Sequence, residues 1–292
     1  MNTMNEGENI RNIEGLIRFK PGTRTMIVSH RGNFGGGIVE NTLEAFELAL
    51  KSGANIIEAD VSRTADGKFV IFHDDLLGRI TNLSEPVSEV NMEIIRSLKL
   101  KNVIGETSGF NINTLDEFLE HMKNRCLINL DRCWGFLDEV YAKVKQHGME
   151  DQILIKAPVH LEEGVKWLEK HNFEPLFIPM IIDDRYIPYV DKLPQKAKVP
   201  IVEIFISNET DEVIGREFIQ SIHDRGILVW ANALTLNNKI TLCAWHDDNT
   251  SLLKSPESGW GWLVERGIDI IQTDWPMELN RYLLARKSET SN

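Results

Sequence analysis

A (β/α)8 barrel is the fold this sequence predicts, and three observations carry the prediction. Eight short apolar runs rich in β-branched residues recur along the chain. Segments with apolar residues at three- and four-residue spacing separate them, the pattern of helices with one buried face. The length of 292 residues suits such a barrel as one domain, since the fold needs about 250 residues or more. Alternating strands and helices imply a parallel α/β sheet, and eight repeats of the unit favour closure over an open, doubly wound sheet.

The elements follow in order. Residues 1–22 carry Ile10, Ile13, Leu16 and Ile17 at helical spacing, which predicts a short helix closing the barrel bottom. Strands are expected at 25–29, 55–61, 126–130, 153–156, 176–181, 200–206, 227–231 and 268–272, and helices at 42–52, 136–146, 161–171, 212–225 and 277–286. Asp66-Gly67 suits a two-residue hairpin turn, so residues 68–72 should fold back onto the second strand. Residues 76–113, with a helix near 92–98, read as a short insertion after strand two, ahead of a helix at 114–123. No domain boundary interrupts 1–292, and the polar residues 287–292 are expected to fray.

Hydrophobic content of 42% and charged content of 26% belong to an ordinary globular chain. A formal charge of −12 argues against nucleic acid and anionic membrane surfaces as partners, because both need a basic face. An anionic substrate would then need local help from a metal, an Arg or a Lys. The three cysteines, Cys126, Cys133 and Cys243, have no paired spacing, which suggests a reducing compartment. The first twenty residues lack the basic start and continuous apolar stretch of a secretory signal, and no run approaches the roughly 20 apolar residues of a spanning helix. A cytoplasmic protein without stable membrane insertion is expected; one exported after removal of a signal would read the same.

In such a barrel, chemistry sits at the C-terminal ends of strands and in the loops beyond them. Strand one ends in Ser29-His30-Arg31-Gly32, strand two contains Glu58-Ala59-Asp60, the hairpin ends in His73-Asp74-Asp75, and strand three ends in Asn129-Leu130-Asp131. Glu58 and Asp60, two apart on a strand, share a face. Paired carboxylates in a pocket repel unless a cation sits between them, and a hard divalent ion, Mg2+ or Ca2+, suits oxygen ligands of which Asp131 is a third. His30 and His73 open onto the same pocket, and imidazoles with a pKa near 6.5 can divide proton removal and proton donation. Arg31 adds a planar fork suited to two oxygens of a phosphodiester.

The segment HRGNFGGGIVENTLEAFELALKSGANIIEADVSRTADGKFVIFHDD resembles the first third of glycerophosphodiester phosphodiesterases, with their HRG start, PENT-like helix entry, E-x-D pair and closing HD. INTLDEF is similar to the segment before strand three in that family, and GIDIIQTDWP to its final strand. The resemblance implies a TIM barrel of the phospholipase C-like phosphodiesterase type that hydrolyses glycerophosphodiesters to an alcohol and glycerol 3-phosphate. By position it makes His30 and His73 the acid/base pair, Arg31 a phosphate ligand, and Glu58, Asp60 and Asp131 the metal ligands. Two departures stand out: Asp131 replaces the usual Glu, and Cys133 replaces a phosphate-binding Lys. Cys133 should share the pocket-facing side of the strand with Asp131 while Arg132 points away, and Lys156, ending strand four, is expected to supply the missing cation. Val39 for the Pro of PENT should matter little.

Other residues have plainer readings. Asn41 or Thr42 is expected to cap the first helix, with Glu44 answering, and Asn41 or Glu40 to brace Arg31. Gly35-Gly36-Gly37 lacks the Lys-Ser/Thr of a phosphate loop and reads as a flexible rim. Glu203, Trp230 and Trp275 are candidate pocket residues, while Cys133 reads as an inert filler. Two other functions fit parts of the pattern. A phospholipase D-like lyase would use the same His, Glu and Asp set to release a cyclic phosphate. A noncatalytic barrel would bind phosphoryl ligands without turning them over. Alcohol specificity, metal preference and oligomeric state are not written in the sequence.

Overall fold

The computed structural model describes residues 13–17, 19–158, 162–193 and 197–290. Eight parallel strands form a closed barrel: β1 (Met26–Ser29), β2 (Ile56–Arg63), β4 (Leu127–Asp131), β5 (Ile153–Pro158), β6 (Leu176–Ile181), β7 (Ile201–Ile204), β8 (Leu228–Asn232) and β9 (Ile270–Thr273). Pairing of β1 with both β9 and β2 makes the closure. The short β3 (Phe69–Ile71) runs antiparallel along the far end of β2. Its loop is one residue longer than the two-residue turn expected from Asp66-Gly67. Thr64 and Lys68 are joined by a backbone hydrogen bond of 2.9 Å, leaving Ala65, Asp66 and Gly67 as the loop, with Gly67 at φ 72°. That is the left-handed position a three-residue hairpin requires.

The helices are α1 (Ile13–Ile17), α2 (Leu43–Lys51), α3 (Met92–Ser97), α4 (Leu115–Met122), α5 (Leu137–His147), α6 (Glu162–Lys170), α7 (Ile187–Val190), α8 (Arg216–His223), α9 (Asp248–Leu253), α10 (Trp262–Glu265) and α11 (Pro276–Thr290). Sequence signals explain the clearest starts. Thr114 closes a capping box with Glu117 in front of α4, and the Thr42 side chain accepts from Ala45 N before α2. The expected tail corrects itself: α11 continues to Thr290, so residues 287–290 are helical, and 291–292 lie outside the described residues. Helices α7, α9 and α10, of four to six residues, escaped the sequence reading because a periodic apolar face needs a longer window.

Strand alternation divides the core in two. Inside the barrel, Met26, Val28, Ile56, Leu127, Leu154, Ile178, Ile201, Leu228 and Ile270 pack on one another, and Leu16 closes the bottom with Ile13 and Phe19 beside it. Ile10, also expected there, is outside the described residues. Between barrel and helices, Ile27, Ile57, Ala59, Ile128, Leu130 and Ile155 meet Phe46, Phe118, Leu119 and Val140. Since 57 and 59 face the helices, 58 and 60 must face the interior, and this places the carboxylates. Residues 76–113 form a lobe with its own small core, in which Leu77, Val87, Ile95 and Leu100 pack against Val70 and Phe72.

Candidate active site

At the C-terminal ends of β1, β2 and β4 lies an open cleft of about 420 Å³, lined by His30, Glu58, Asp60, His73, Asp131, Arg132 and Trp134. Five of the sequence-derived candidates thus stand together. The β2–β4 register sets Asp60 directly beside Asp131. One oxygen each from Glu58, Asp60 and Asp131 lies within 4.8 Å of the others. Oxygens so spaced can share a centre at the 2.0–2.6 Å typical of Mg2+ or Ca2+, and two buried carboxylates beside a half-buried third favour a cation between them on electrostatic grounds. Burial, together with the charges of Asp60 and Asp131, pushes the Glu58 carboxyl up to about 8. The donor set therefore fits a hard divalent ion.

Neighbouring groups hold these carboxylates rigidly. The backbone N–H of Arg31 donates to Glu58 Oε2 at 3.0 Å, and Asn41 Nδ2 donates to Asp60 Oδ2 at 2.8 Å while Asp60 N donates to Asn41 Oδ1 at 3.2 Å. Arg31 and Asn41 have φ of 55° and 56°, left-handed values costly for residues with a Cβ and tolerated where the surroundings dictate them. Gly32, at φ 84°, has no alternative: a Cβ there would meet Ala45 at 2.7 Å. Thr42 is the helix cap, which frees Asn41 to brace Asp60, whereas Glu40 braces Arg31.

Each histidine is oriented by a carboxylate. His30 Nδ1 lies 2.7 Å from Asp274 Oδ1, and His73 Nδ1 lies 2.7 Å from Asp74 Oδ1. With a carboxylate as acceptor, Nδ1 carries the proton, and Nε2 is the nitrogen left for chemistry. Burial opposes charge on His30, but the Asp274 hydrogen bond and the charges of Glu58 and Asp274 outweigh it and raise its pKa. Asp274 is fixed in turn by buried Asp248, which accepts from Asp274 N at 3.0 Å, Thr273 Oγ1 at 2.7 Å and Trp260 Nε1 at 2.8 Å. Asp74 is gripped by Arg79, whose guanidinium also binds Glu40. Asp274 and Asp74 stand in the quoted TDWP and HDD runs. Adjacency to His73 was a signal for Asp74, whereas no local signal ties Asp274 to a histidine 244 positions earlier.

Several expected pocket residues lie elsewhere. Lys156 does not line the cleft: its side chain is 5% exposed, with Nζ 3.0 Å from Asp131 Oδ2, 3.6 Å from Glu203 Oε1 and 5.5 Å from the Trp230 ring centre. It faces the barrel interior beneath the rim, where a buried ammonium needs its own carboxylates. The charge and hydrogen bond of Lys156 overcome burial to lower the Asp131 pKa. Lys156→Met would strand Asp131 and Glu203 without a counter-charge, and we expect it to cost about 3–5 kcal/mol of stability, read from denaturant unfolding. Glu203 and Trp230 are likewise fully buried in that layer and linked through Asn232. Trp275 is exposed on the rim outside the cleft.

Arg31 sits behind the carboxylates rather than in the cleft wall. Its Nη1 donates to Glu40 at 2.9 Å, and Nε lies 3.3 Å from Asp60 Oδ2 without the alignment of a hydrogen bond, making that contact one of charge. The expected directions of Cys133 and Arg132 are reversed. β4 stops at Asp131, and Arg132 turns the chain with φ 58°. Arg132 therefore lines the cleft, and Cys133 is buried in the layer beneath the helices. Burial pushes the Cys133 thiol pKa up, consistent with an inert filler. Trp134, unflagged in the sequence, completes the wall.

Comparison with known proteins agrees with the fold. A glycerophosphodiester phosphodiesterase from Bacillus altitudinis is 35% identical over 188 residues, 61% of this chain and 76% of that one. The chain spans about half to two thirds of the length of several other curated relatives. Among solved structures, a glycerophosphoryl diester phosphodiesterase from Parabacteroides distasonis superimposes with a TM-score of 0.76 at 23% identity, over 95% of this chain and 93% of that one. An Oleispira antarctica phosphodiesterase in complex with the product sn-glycerol-3-phosphate gives 0.64 at 21% identity, over 88% and 96%. Residues 30–278 match the family model of the Glycerophosphoryl diester phosphodiesterase family. A closed barrel with the carboxylates and histidines at its C-terminal mouth, matched by that profile from His30 to beyond the last strand, belongs to the glycerophosphoryl diester phosphodiesterase family, whose members are phosphoric diester hydrolases.

Proposed function

We propose that the protein hydrolyses small glycerophosphodiesters to an alcohol and glycerol 3-phosphate, using His30 and His73 as the acid/base pair and a divalent cation, Mg2+ or Ca2+, held by Glu58, Asp60 and Asp131. The observation that supports this most directly is the convergence of two carboxylate-bound imidazoles on a three-carboxylate cluster in one cleft. The sn-glycerol-3-phosphate in the Oleispira antarctica structure supports the same product class.

When bound, the cation would supply positive charge to the phosphate oxygens as charge builds on them in the transition state. One imidazole takes a proton at Nε2 from the attacking water while the other gives a proton from Nε2 to the leaving alcohol oxygen. Asp274 and Asp74 hold the Nδ1 proton and the direction of both rings, so that Nε2 accepts in the neutral ring and carries the donated proton in the protonated one. Arg31 adds positive charge from behind Asp60 and fixes Glu58 through its backbone. Reducing cytoplasm is the matching location, since Cys126, Cys133 and Cys243 are free and buried.

The deciding experiment is phosphorus NMR of products formed from glycerophosphocholine, glycerophosphoethanolamine, glycerophosphoinositol and lysophospholipids with Mg2+, Ca2+ or Mn2+. Glycerol 3-phosphate as the phosphorus product supports the proposal. Accumulating cyclic phosphate would favour a lyase, and binding without turnover under every metal would favour a noncatalytic barrel.

The cation should also stabilise the fold in a pH-dependent way. Without it, the Glu58 carboxyl titrates near 8 in the folded chain, against about 4.3 when unfolded. The folded state then binds more protons over that window, so its stability falls as pH rises from about 4 to about 8. A cation at the cluster removes that penalty. The rise in Tm on adding excess Mg2+ or Ca2+ is therefore expected to be larger at pH 8 than at pH 6, measured against chelator at each pH. Equal rises would contradict the site. Burial, with the charge of Asp274, also pushes Asp248 up to about 7, but a with-and-without-metal comparison at each pH cancels it.

A further inference from the structure

We propose that Arg132 is the cation that takes hold of the substrate phosphate, and that Asp75 is the counter-ion it exchanges for that phosphate. The inference rests on the phosphodiester reading above and assigns the contact that Lys156 is too deeply buried to make.

Among the described residues lining the cleft, Arg132 contributes the one guanidinium and there is no ammonium. The neighbouring cations are committed to fixed carboxylates. Arg31 serves Glu40 and Asp60, Arg79 clamps Glu40 and Asp74, and Lys156 is enclosed by Asp131 and Glu203. Arg132 differs in its partner. Its Nη2 donates to Asp75 Oδ1 at 2.8 Å, but the Asp75 side chain is 90% exposed and that of Arg132 38% exposed. An ion pair so open to water contributes little, so a phosphate held beside a metal cluster can displace Asp75 at small cost. A guanidinium also presents parallel N–H donors that match two phosphate oxygens.

The backbone indicates that this direction is imposed. Continued extension past Asp131 would send residue 132 outward, as strand alternation demands. The chain instead adopts φ 58° at Arg132, a left-handed conformation unfavourable for a residue with a Cβ, and turns the side chain into the cleft. The Arg132 N–H donates to Asp131 Oδ1 at 2.7 Å, so the turn is anchored to a carboxylate of the metal cluster itself. The arginine is thereby tied in position to the site where the phosphate would lie.

A rival account makes the Arg132–Asp75 pair a staple between the loops after β3 and β4, and the two accounts predict different signs. Inorganic phosphate would be titrated calorimetrically into the Mg2+-loaded full-length protein, alongside kcat/KM for glycerophosphocholine or whichever glycerophosphodiester the wild type turns over. For Arg132→Gln we expect phosphate affinity and kcat/KM to fall about tenfold to a hundredfold, the worth of a charge-assisted hydrogen bond. Arg132→Lys should recover part of that loss. Asp75→Asn should bind phosphate at least as tightly as wild type, because the competing carboxylate is gone. Equal weakening by Arg132→Gln and Asp75→Asn would overturn the proposal in favour of the staple, and unchanged phosphate affinity in Arg132→Gln would overturn it outright. If the wild type hydrolyses no glycerophosphodiester, the functional reading fails by itself, and the phosphate titrations still decide the role of Arg132.

Discussion

Glu58→Ala and Asp60→Ala are each expected to abolish tight binding of a divalent cation and to reduce turnover below about a thousandth of wild type. Each change removes one of three oxygen ligands and a full negative charge, and hard divalent ions depend on both. Asp131 cannot compensate, because one of its oxygens is already engaged by Lys156. The result is separable from misfolding. Glu58 is buried among like charges and titrates near 8, so the metal-free chain is strained by it at alkaline pH. Glu58→Gln should therefore match or exceed the metal-free Tm of wild type at pH 8 while losing the metal-induced rise. Calorimetry showing wild-type affinity for Mg2+ and Ca2+ in both alanine variants would reject the assignment.

His30→Ala and His73→Ala should fold, bind the cation, and each lose at least about a hundredfold in kcat, the usual worth of a positioned acid or base. Since both imidazoles serve one displacement, the double variant should lose less than the product of the single losses. Asp274→Asn tests the orientation of His30 separately: an amide in that place accepts less strongly and can donate to Nδ1, favouring the wrong tautomer. We expect an intermediate loss in kcat with little change in KM, and a shifted pH profile. Rates near wild type in either histidine variant would exclude a two-imidazole mechanism.

The barrel and the heart of its site were legible because both are written in short-range pattern. Alternation over residues 56–61 sends Glu58 and Asp60 to one face and Ile57 and Ala59 to the other, and eight such runs leave little choice but closure. Strand ends are equally local, and His30, His73 and Asp131 stand out by their position at the ends of apolar runs. The errors arise where that local rule stops. Alternation continued past Asp131 predicts Cys133 in the cleft and Arg132 outside. The turn at φ 58° reverses both. Lys156, expected to bring its ammonium to the cleft, lies beneath the rim instead, because the stagger of strands around a closed barrel decides which interior residues reach the mouth.

By itself, then, the sequence determined which side chains face inward and which strand each occupies, since a period of two is a property of the backbone. Only the tertiary structure decided how those side chains pair. Asp274 lies 244 positions from His30, and Arg132 lies 57 positions from Asp75. Such contacts depend on barrel closure and on loop conformations that no local pattern encodes. The same holds for charge: Lys156, Glu203 and Asp131 look alike in sequence to any strand-end ion, and only the fold encloses Lys156 and Glu203 beneath the rim while leaving Asp131 on the cleft wall.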